Sequence, residues 1–244
     1  MVTSSDLTVI YYSARVIAEH FASAVQAELL ACLRQISPRP TLVTVTHGWP
    51  LTFGDVNLTV GDPVPSISQV YRNVLFGCHA ATTPYVAFAE DDTCYVPEHF
   101  AYRPALDTFS YNEQRLVLTR RLSADGTRRE AIYFFNPRTQ MAMGIAPRQL
   151  LIETLEERFA KHPNPPLDTT VAKNAGHGEP GRYEKNLGLT PRKLERFPWT
   201  TRPNITVNHS ASLMGRRAVK PHFETCSTVE PWGEANALWE RIHG

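Results

Sequence analysis

Apolar and polar positions in the first part of the chain alternate between two periods. Leu7-Thr-Val-Ile-Tyr-Tyr12 is rich in β-branched and aromatic residues and predicts a strand. From Val16 to Leu33 the apolar positions Val16, Ile17, Phe21, Val25, Leu29 and Leu33 fall near helical spacing. Ser37-Pro-Arg-Pro40 breaks that helix, and Thr41-Leu-Val-Thr-Val-Thr46 predicts a second strand. Residues 47–65, rich in Gly, Pro and Asp, read as a loop. Ser66 is placed to cap a helix running to about Ala81, with Ile67, Val70, Val74 and Leu75 on one face. Tyr85 to Ala89 then predicts a short buried strand that stops abruptly in Glu90, Asp91 and Asp92.

Strands alternating with helices at this pace predict an α/β fold: a Rossmann-type, mostly parallel sheet with helices on both faces. Ligands of such sheets bind beyond the carboxyl ends of the strands. Both the acidic cluster and Ser13-Ala-Arg15 fall at such ends. Beyond them the pattern is less regular. Arg115–Thr119 and Glu130–Phe135 predict a hairpin around Ser123-Ala-Asp-Gly126, and Gln140–Ile145 predicts a short strand. Pro147 opens a helix to about Lys161. Residues 162–203, rich in Pro, Gly and charge, suit a loop region or lid, and Ile205–His209 reads as a last short strand. The chain shows no internal repeat. It is read as one domain over 1–244, in two halves of about 1–100 and about 101–244.

Composition narrows the class. A net charge of +1 provides no global basic field of the kind that draws a protein to nucleic acid. The four cysteines are scattered without a CxxC pair, so neither a zinc site nor a disulfide framework is expected. The N-terminus lacks the features of a signal peptide and no apolar run reaches the roughly 18 residues of a membrane span, so a cytoplasmic protein is expected. The sequons at Asn57, Asn204 and Asn208 then read as chance occurrences.

Packed carboxylates repel each other and are costly to desolvate unless a cation or water satisfies them. Hard oxygen ligands at a strand end suit Mg²⁺ or Mn²⁺, which can in turn hold nucleotide phosphates. The competing reading is a solvated acidic turn. Gln69-Val-Tyr-Arg-Asn73, followed by Phe88-Ala-Glu-Asp-Asp92, resembles the core of GT-A glycosyltransferases, in which an Arg-Asn pair on a helix precedes a strand ending in a D-x-D-type motif. The likeness extends over about 1–100 and returns after 140.

The resemblance implies a nucleotide-diphosphate sugar donor and a divalent metal, Mn²⁺ or Mg²⁺. It puts Asp92 on the metal and Glu90 or Asp91 on the ribose, the metal water or the donor sugar. Ser13 and Arg15 would lie against the base or diphosphate, and Arg72, with Asn73 beside it, would face the donor. Asn208-His-Ser-Ala-Ser-Leu-Met-Gly-Arg-Arg217 is similar to the late strand whose His completes the metal shell, which makes His209 a ligand candidate beside the reading of a satisfied buried histidine. Gly178–Gly188 resembles the segment that supplies the family's base, although Pro180 stands where the family often has Asp. Glu179 is the candidate base, with Asp168 and Glu184 as competitors and His177 as a substrate-orienting group.

The acceptor would carry a hydroxyl. Compact enzymes of this kind include phage transferases that decorate hydroxymethylated DNA bases. Arg115, Arg120, Arg121, Arg128, Arg129, Arg192, Lys193 and Arg196 could track a nucleic-acid backbone, with Tyr102, Tyr111, Phe197 and Trp199 stacking on a base or sugar. A hydrated surface with partly buried aromatics is the alternative. Arg216 and Arg217 read either as a phosphate clamp or as a basic turn. A nucleotidyltransferase would need similar carboxylates, but Ser13-Ala-Arg15 lacks the glycines of its phosphate loop. A non-catalytic nucleotide-sugar-binding module is the remaining reading.

Overall fold

A computed structural model describes residues 5–123, 126–136, 138–163, 178–210, 219–220 and 222–244. The chain begins with β1 (Leu7–Ser13), α1 (Glu19–Arg34), β2 (Thr41–Thr46), β3 (Val56–Thr59), α2 (Ile67–Ala80) and β4 (Tyr85–Glu90). The strands β5 (Thr93–Cys94), β6 (Thr108–Asn112), β7 (Arg115–Leu122), β8 (Arg129–Phe135) and β9 (Gly144–Pro147) follow. Next come α3 (Arg148–Lys161), β10 (Lys193–Phe197), β11 (Asn204–Val207), β12 (Thr225–Cys226), β13 (Thr228–Val229), β14 (Gly233–Glu234) and α4 (Ala235–His243).

The main sheet has seven strands in the order β10-β6-β9-β4-β1-β2-β3. Strands β3, β2, β1 and β4 run parallel, β10 runs parallel to β6, and β9 alone opposes its neighbours. Side chains alternate across it. Ile10, Tyr12, Val43, Val45, Val86 and Phe88 meet α2 and α3 on one face, while Leu7, Val9, Tyr11, Leu42, Ala87 and Ala89 meet α1 on the other. α2 lies close to the sheet at Gly77, where a Cβ would sit 2.6 Å from Ile10 Cγ2. This is the mostly parallel, doubly covered α/β architecture that the sequence predicts. A second sheet, β12-β8-β7-β11-β5, packs against α1 and α4 through Phe21, Val25, Leu118, Tyr133, Ile205 and Leu238.

Several elements differ from the sequence reading. The α1 helix begins at Glu19, and Val16 is exposed. The supposed loop 47–65 contains β3, the region 162–203 contains β10, and β6 and α4 were not foreseen. Gln140–Ile145 is a 3₁₀ turn at Met141–Met143 leading into β9. By contrast, Ser66 caps α2 as expected, its Oγ accepting from the Gln69 amide at 3.1 Å. Among the described residues no helix is long and apolar enough to cross a membrane.

Candidate functional site

The site is built from the carboxyl ends of β1 and β4. Tyr12 pairs in register with Glu90, so both face the α2/α3 side, where the Tyr12 hydroxyl donates to Glu90 Oε1. One residue on, alternation turns Ser13 and Asp91 to the opposite side, where Ser13 Oγ donates to Asp91 Oδ2 at 2.5 Å. Ser13 Oγ also accepts from the Arg15 amide at 2.9 Å. Arg15 is the only non-glycine among the described residues with positive φ (55°), and its guanidinium lies 4.1 Å above the exposed Trp49 ring.

Asp92 sits in the turn after β4 and is 5% exposed. Its Oδ1 accepts from Thr93 Oγ1 at 2.8 Å. The Val207 amide donates to the Asp92 carbonyl at 2.7 Å, which brings the end of β11 against this turn. His209 follows two residues later, with Nε2 3.5 Å from Asp92 Oδ2. Its ring packs on Phe21, 5.7 Å between centroids, and its Nδ1 is buried without a hydrogen-bond partner among the described residues.

The expectation that the acidic tip acts as one cluster needs correction. Strand alternation sends Glu90 and Asp91 to opposite faces, and among the described residues no group of three or more His, Cys, Asp or Glu side chains gathers as a metal centre. Asp92 and His209 instead offer one carboxylate and one imidazole. The carboxylate suits a hard divalent ion that takes its other oxygens from water and substrate phosphates, and the imidazole favours Mn²⁺ over Mg²⁺ in that place. Desolvation, and after it the charge of Asp92, pushes the Asp91 carboxyl up to about 6, against the Ser13 hydrogen bond and His209. Protein thus surrounds Asp91 although it is partly exposed.

Asn73 and Arg72 lie on different sides of α2. Asn73 is buried, accepts from Gln69 Nε2 at 2.8 Å and meets His47 Nε2 at 3.1 Å, so it fixes the end of β2. Arg72 stacks 4.1 Å above Phe159 of α3 and donates to the Pro163 carbonyl, a placement that commits it to the α3 side.

Glu179 is 8% exposed, and Arg182 Nη1 donates to its Oε2 at 3.0 Å. Burial, and after it Glu179, pushes the Tyr71 phenol upward; Arg158 opposes this, while Glu90 and Glu184 add to it. Tyr71 therefore lies within electrostatic reach of both Glu90 and Glu179. Glu184 is buried against Arg158 at 3.0 Å. Asp168, His177, Arg216 and Arg217 lie outside the described residues.

Much of the suggested nucleic-acid track is otherwise engaged. Arg115 is buried and bonds the Asn136 and Arg138 carbonyls. Arg121 pairs with Glu130, Arg192 with Glu157, Lys193 with Asp107 and Arg196 with Glu113. Tyr111 is buried, and Tyr102, Phe197 and Trp199 pack on one another. These side chains are paired or packed as a hydrated surface with partly buried aromatics would have them. Asn204 and Asn208, two of the three sequon asparagines, are buried as well.

Sequence reasoning missed Tyr12, Arg158 and Arg182. Tyr12 shares a face with Glu90 by simple alternation. Arg158 was legible as a charge on the apolar stripe Leu151-Leu155-Arg158 of α3. For Arg182 no comparable sequence signal stands out.

No family model matches the chain, and no curated protein matches it. Among solved structures, a glycosyltransferase involved in the glycosylation of the major capsid of PBCV-1 is similar at 8% identity, with 82% of this chain and 91% of that chain covered and a TM-score of 0.44. A nucleotidyl transferase from Methanothermobacter thermautotroptrophicus is similar at 16% identity, covering 62% of this chain and 75% of that one, with a TM-score of 0.36. The bifunctional IspDF from Campylobacter jejuni is similar at 9% identity, covering 80% and 50%, with a TM-score of 0.38. These are loose likenesses, and the functional reading rests on the site's own residues. The sheet order and its helical layers give the chain a mostly parallel α/β architecture covered on both faces.

Proposed function

We propose that the protein is a metal-dependent glycosyltransferase that moves a sugar from a nucleotide-diphosphate donor to a hydroxyl acceptor. The observation that carries this reading is the meeting of Asp92 and His209 at the carboxyl end of β4, beside Ser13 and Arg15 at the end of β1. Asp92 and His209 hold the divalent ion. When bound, such an ion stabilises the charge that builds on a departing diphosphate. Ser13 and Asp91 line the donor side of that edge, and Arg15 supplies a guanidinium to the base or diphosphate. Glu90, oriented by Tyr12, faces the donor sugar from the α2/α3 side.

Glu179 is proposed as the general base that takes the proton of the acceptor hydroxyl, which gives inversion at the anomeric carbon. Its turn is tied to α2 through Arg158, whose guanidinium lies 5.1 Å above the Tyr71 ring and donates to the Gly178 carbonyl at 2.8 Å. Arg182 holds Glu179 in place before the acceptor enters. Asn73 acts at second hand by fixing His47 at the end of β2, and Arg72 supports α2 from the α3 side.

The test is turnover. The protein is incubated with UDP, GDP, CDP and dTDP sugars plus Mn²⁺ or Mg²⁺, alone and with saccharide or hydroxymethylated DNA acceptors. A parallel arm supplies nucleoside triphosphates and sugar phosphates. Release of nucleoside diphosphate from one donor, stopped by chelator, is the expected result. Pyrophosphate release would mark nucleotidyl transfer instead. Donor binding without release would mark a non-catalytic module, and turnover indifferent to chelator would end the metal assignment.

A further inference from the structure

Arg158 is fully buried at 1% exposure on the inner face of α3. Its Nη1 donates to the Gly178 carbonyl at 2.8 Å and its Nη2 to Glu184 Oε1 at 3.0 Å. Its guanidinium lies 5.1 Å above the Tyr71 ring. Glu184 is 2% exposed, and its other oxygen accepts from the Tyr183 amide at 3.1 Å. The Glu184 carbonyl accepts from Leu187 and Leu189, closing the turn that follows. Between the two anchor points, the Tyr111 hydroxyl donates to the Pro180 carbonyl at 2.9 Å. Residues 178–184 are thus tied at both ends by one guanidinium and in the middle by one phenol, and Glu179 lies inside that bracket.

A buried ion pair is a poor source of stability, because desolvating two charges offsets much of their attraction. Arg158 also leaves its Nε without a hydrogen-bond partner among the described residues, a further cost. What the arrangement supplies is a fixed position: a fork of donors, rigid in plane, that sets where the backbone on either side of Glu179 runs.

We infer that Arg158, with Glu184 as its counter-charge, is a positioning residue that holds the 178–184 turn, and Glu179 within it, against α2 at Tyr71. This rests on the reading of Glu179 as the base. Arg158 does not touch substrate; it acts through Glu179.

The experiment compares the unaltered protein with Arg158→Met/Glu184→Leu, an apolar exchange chosen to keep the fold. Arg158→Lys, which keeps the charge and loses the fork, is the second variant. The exchange should remove hydrogen-exchange protection from 178–189 while leaving β1, β2 and β4 protected, a readout that needs no activity. It should lower kcat about 100-fold, the scale of a misplacement near 1 Å, with donor KM within about twofold. In a Glu179→Gln background the same exchange should lower kcat no further, since both changes remove one function. Arg158→Lys should give an intermediate loss. Unchanged protection of 178–189, or a kcat loss that adds fully to that of Glu179→Gln, would overturn the inference. A wild-type protein that turns over no nucleotide sugar would instead sink the transferase reading, and the exchange experiment would still decide whether the bracket exists.

Discussion

The carboxyl edge of β1 and β4 and the turn around Arg158 both bury carboxylates, and they handle them differently. At the turn, Glu184 meets a buried guanidinium at 3.0 Å and Glu179 meets Arg182 at the same distance. At the edge, Asp91 is held by the Ser13 hydroxyl, and its carboxyl is pushed up to about 6. Asp92 meets a hydroxyl and an imidazole. A carboxylate matched to a buried arginine, as Glu184 is, is fixed in charge and place, because guanidinium does not deprotonate and the pair is closed to water. One held by a hydroxyl beside another carboxylate gains from an incoming cation. The Arg158–Glu184 pair is therefore a finished structural device, Glu179 has a half-exposed partner in Arg182 that can swing away, and the edge is suited to complete itself with a ligand.

Removing the edge's anchor should have the largest effect. Asp92→Asn keeps the shape and one acceptor for the Thr93 hydroxyl but removes the charge. Donor turnover should fall by about 10³-fold or more, the scale at which a lost electrostatic contact to the reacting charge is felt. The stabilisation by Mn²⁺ plus nucleoside diphosphate in a thermal-shift measurement should vanish with it. Full activity in this variant would remove the contrast between edge and turn altogether.

Glu179→Gln should be milder and different in kind. A lost general base costs about 10²- to 10⁴-fold in kcat. Because Glu179 belongs to the turn, metal-dependent donor binding should survive unchanged in isothermal titration. If donor binding falls together with kcat, the two regions do not divide ligand holding from proton transfer, and Glu179 belongs with the edge.

Much of this was legible in the sequence, and the gaps have physical reasons. β1, α1, β2, α2 and β4 were readable because their periods are clean and their breaks carry Pro, Gly or a cap such as Ser66. β3, β6 and β10 were not. Their residues are polar or short, and they become strands because a neighbour in the sheet offers its edge: Val43–Thr46 for β3, and β6 for β10. At the site, Asp92 and Ser13 followed from the strand-end rule. That Glu90 and Asp91 would part company followed from alternation, yet consecutive carboxylates invite a reading as one cluster. His209 reaches Asp92 through the Val207 amide bond to the Asp92 carbonyl, a contact between distant segments that no local pattern announces. Arg158 meets Gly178 and Glu184 across a shorter gap, again outside any local pattern.

The smallest effect concerns two histidines that sequence alone could not separate. His209 stands at the edge with Nε2 toward Asp92. His99 is wholly buried, with Trp199 stacked on it and Asn112 and Asn204 amides each 3.3 Å from Nδ1. Those donors put its proton on Nε2. Burial pushes its pKa down to about 3 from the ordinary 6.5. Above pH 6.5 both folded and unfolded chains hold it neutral, and it adds no slope. Below that, the unfolded chain takes up a proton that the native core refuses, so stability falls by about 1.4 kcal/mol per pH unit until roughly pH 3. His99→Gln keeps an acceptor for the two amides and cannot titrate. Urea unfolding at pH 7, 6, 5 and 4 should therefore show a shallower loss in the variant, by about that slope, with little change at pH 7. An identical slope would mean that His99 gains a proton in the folded protein.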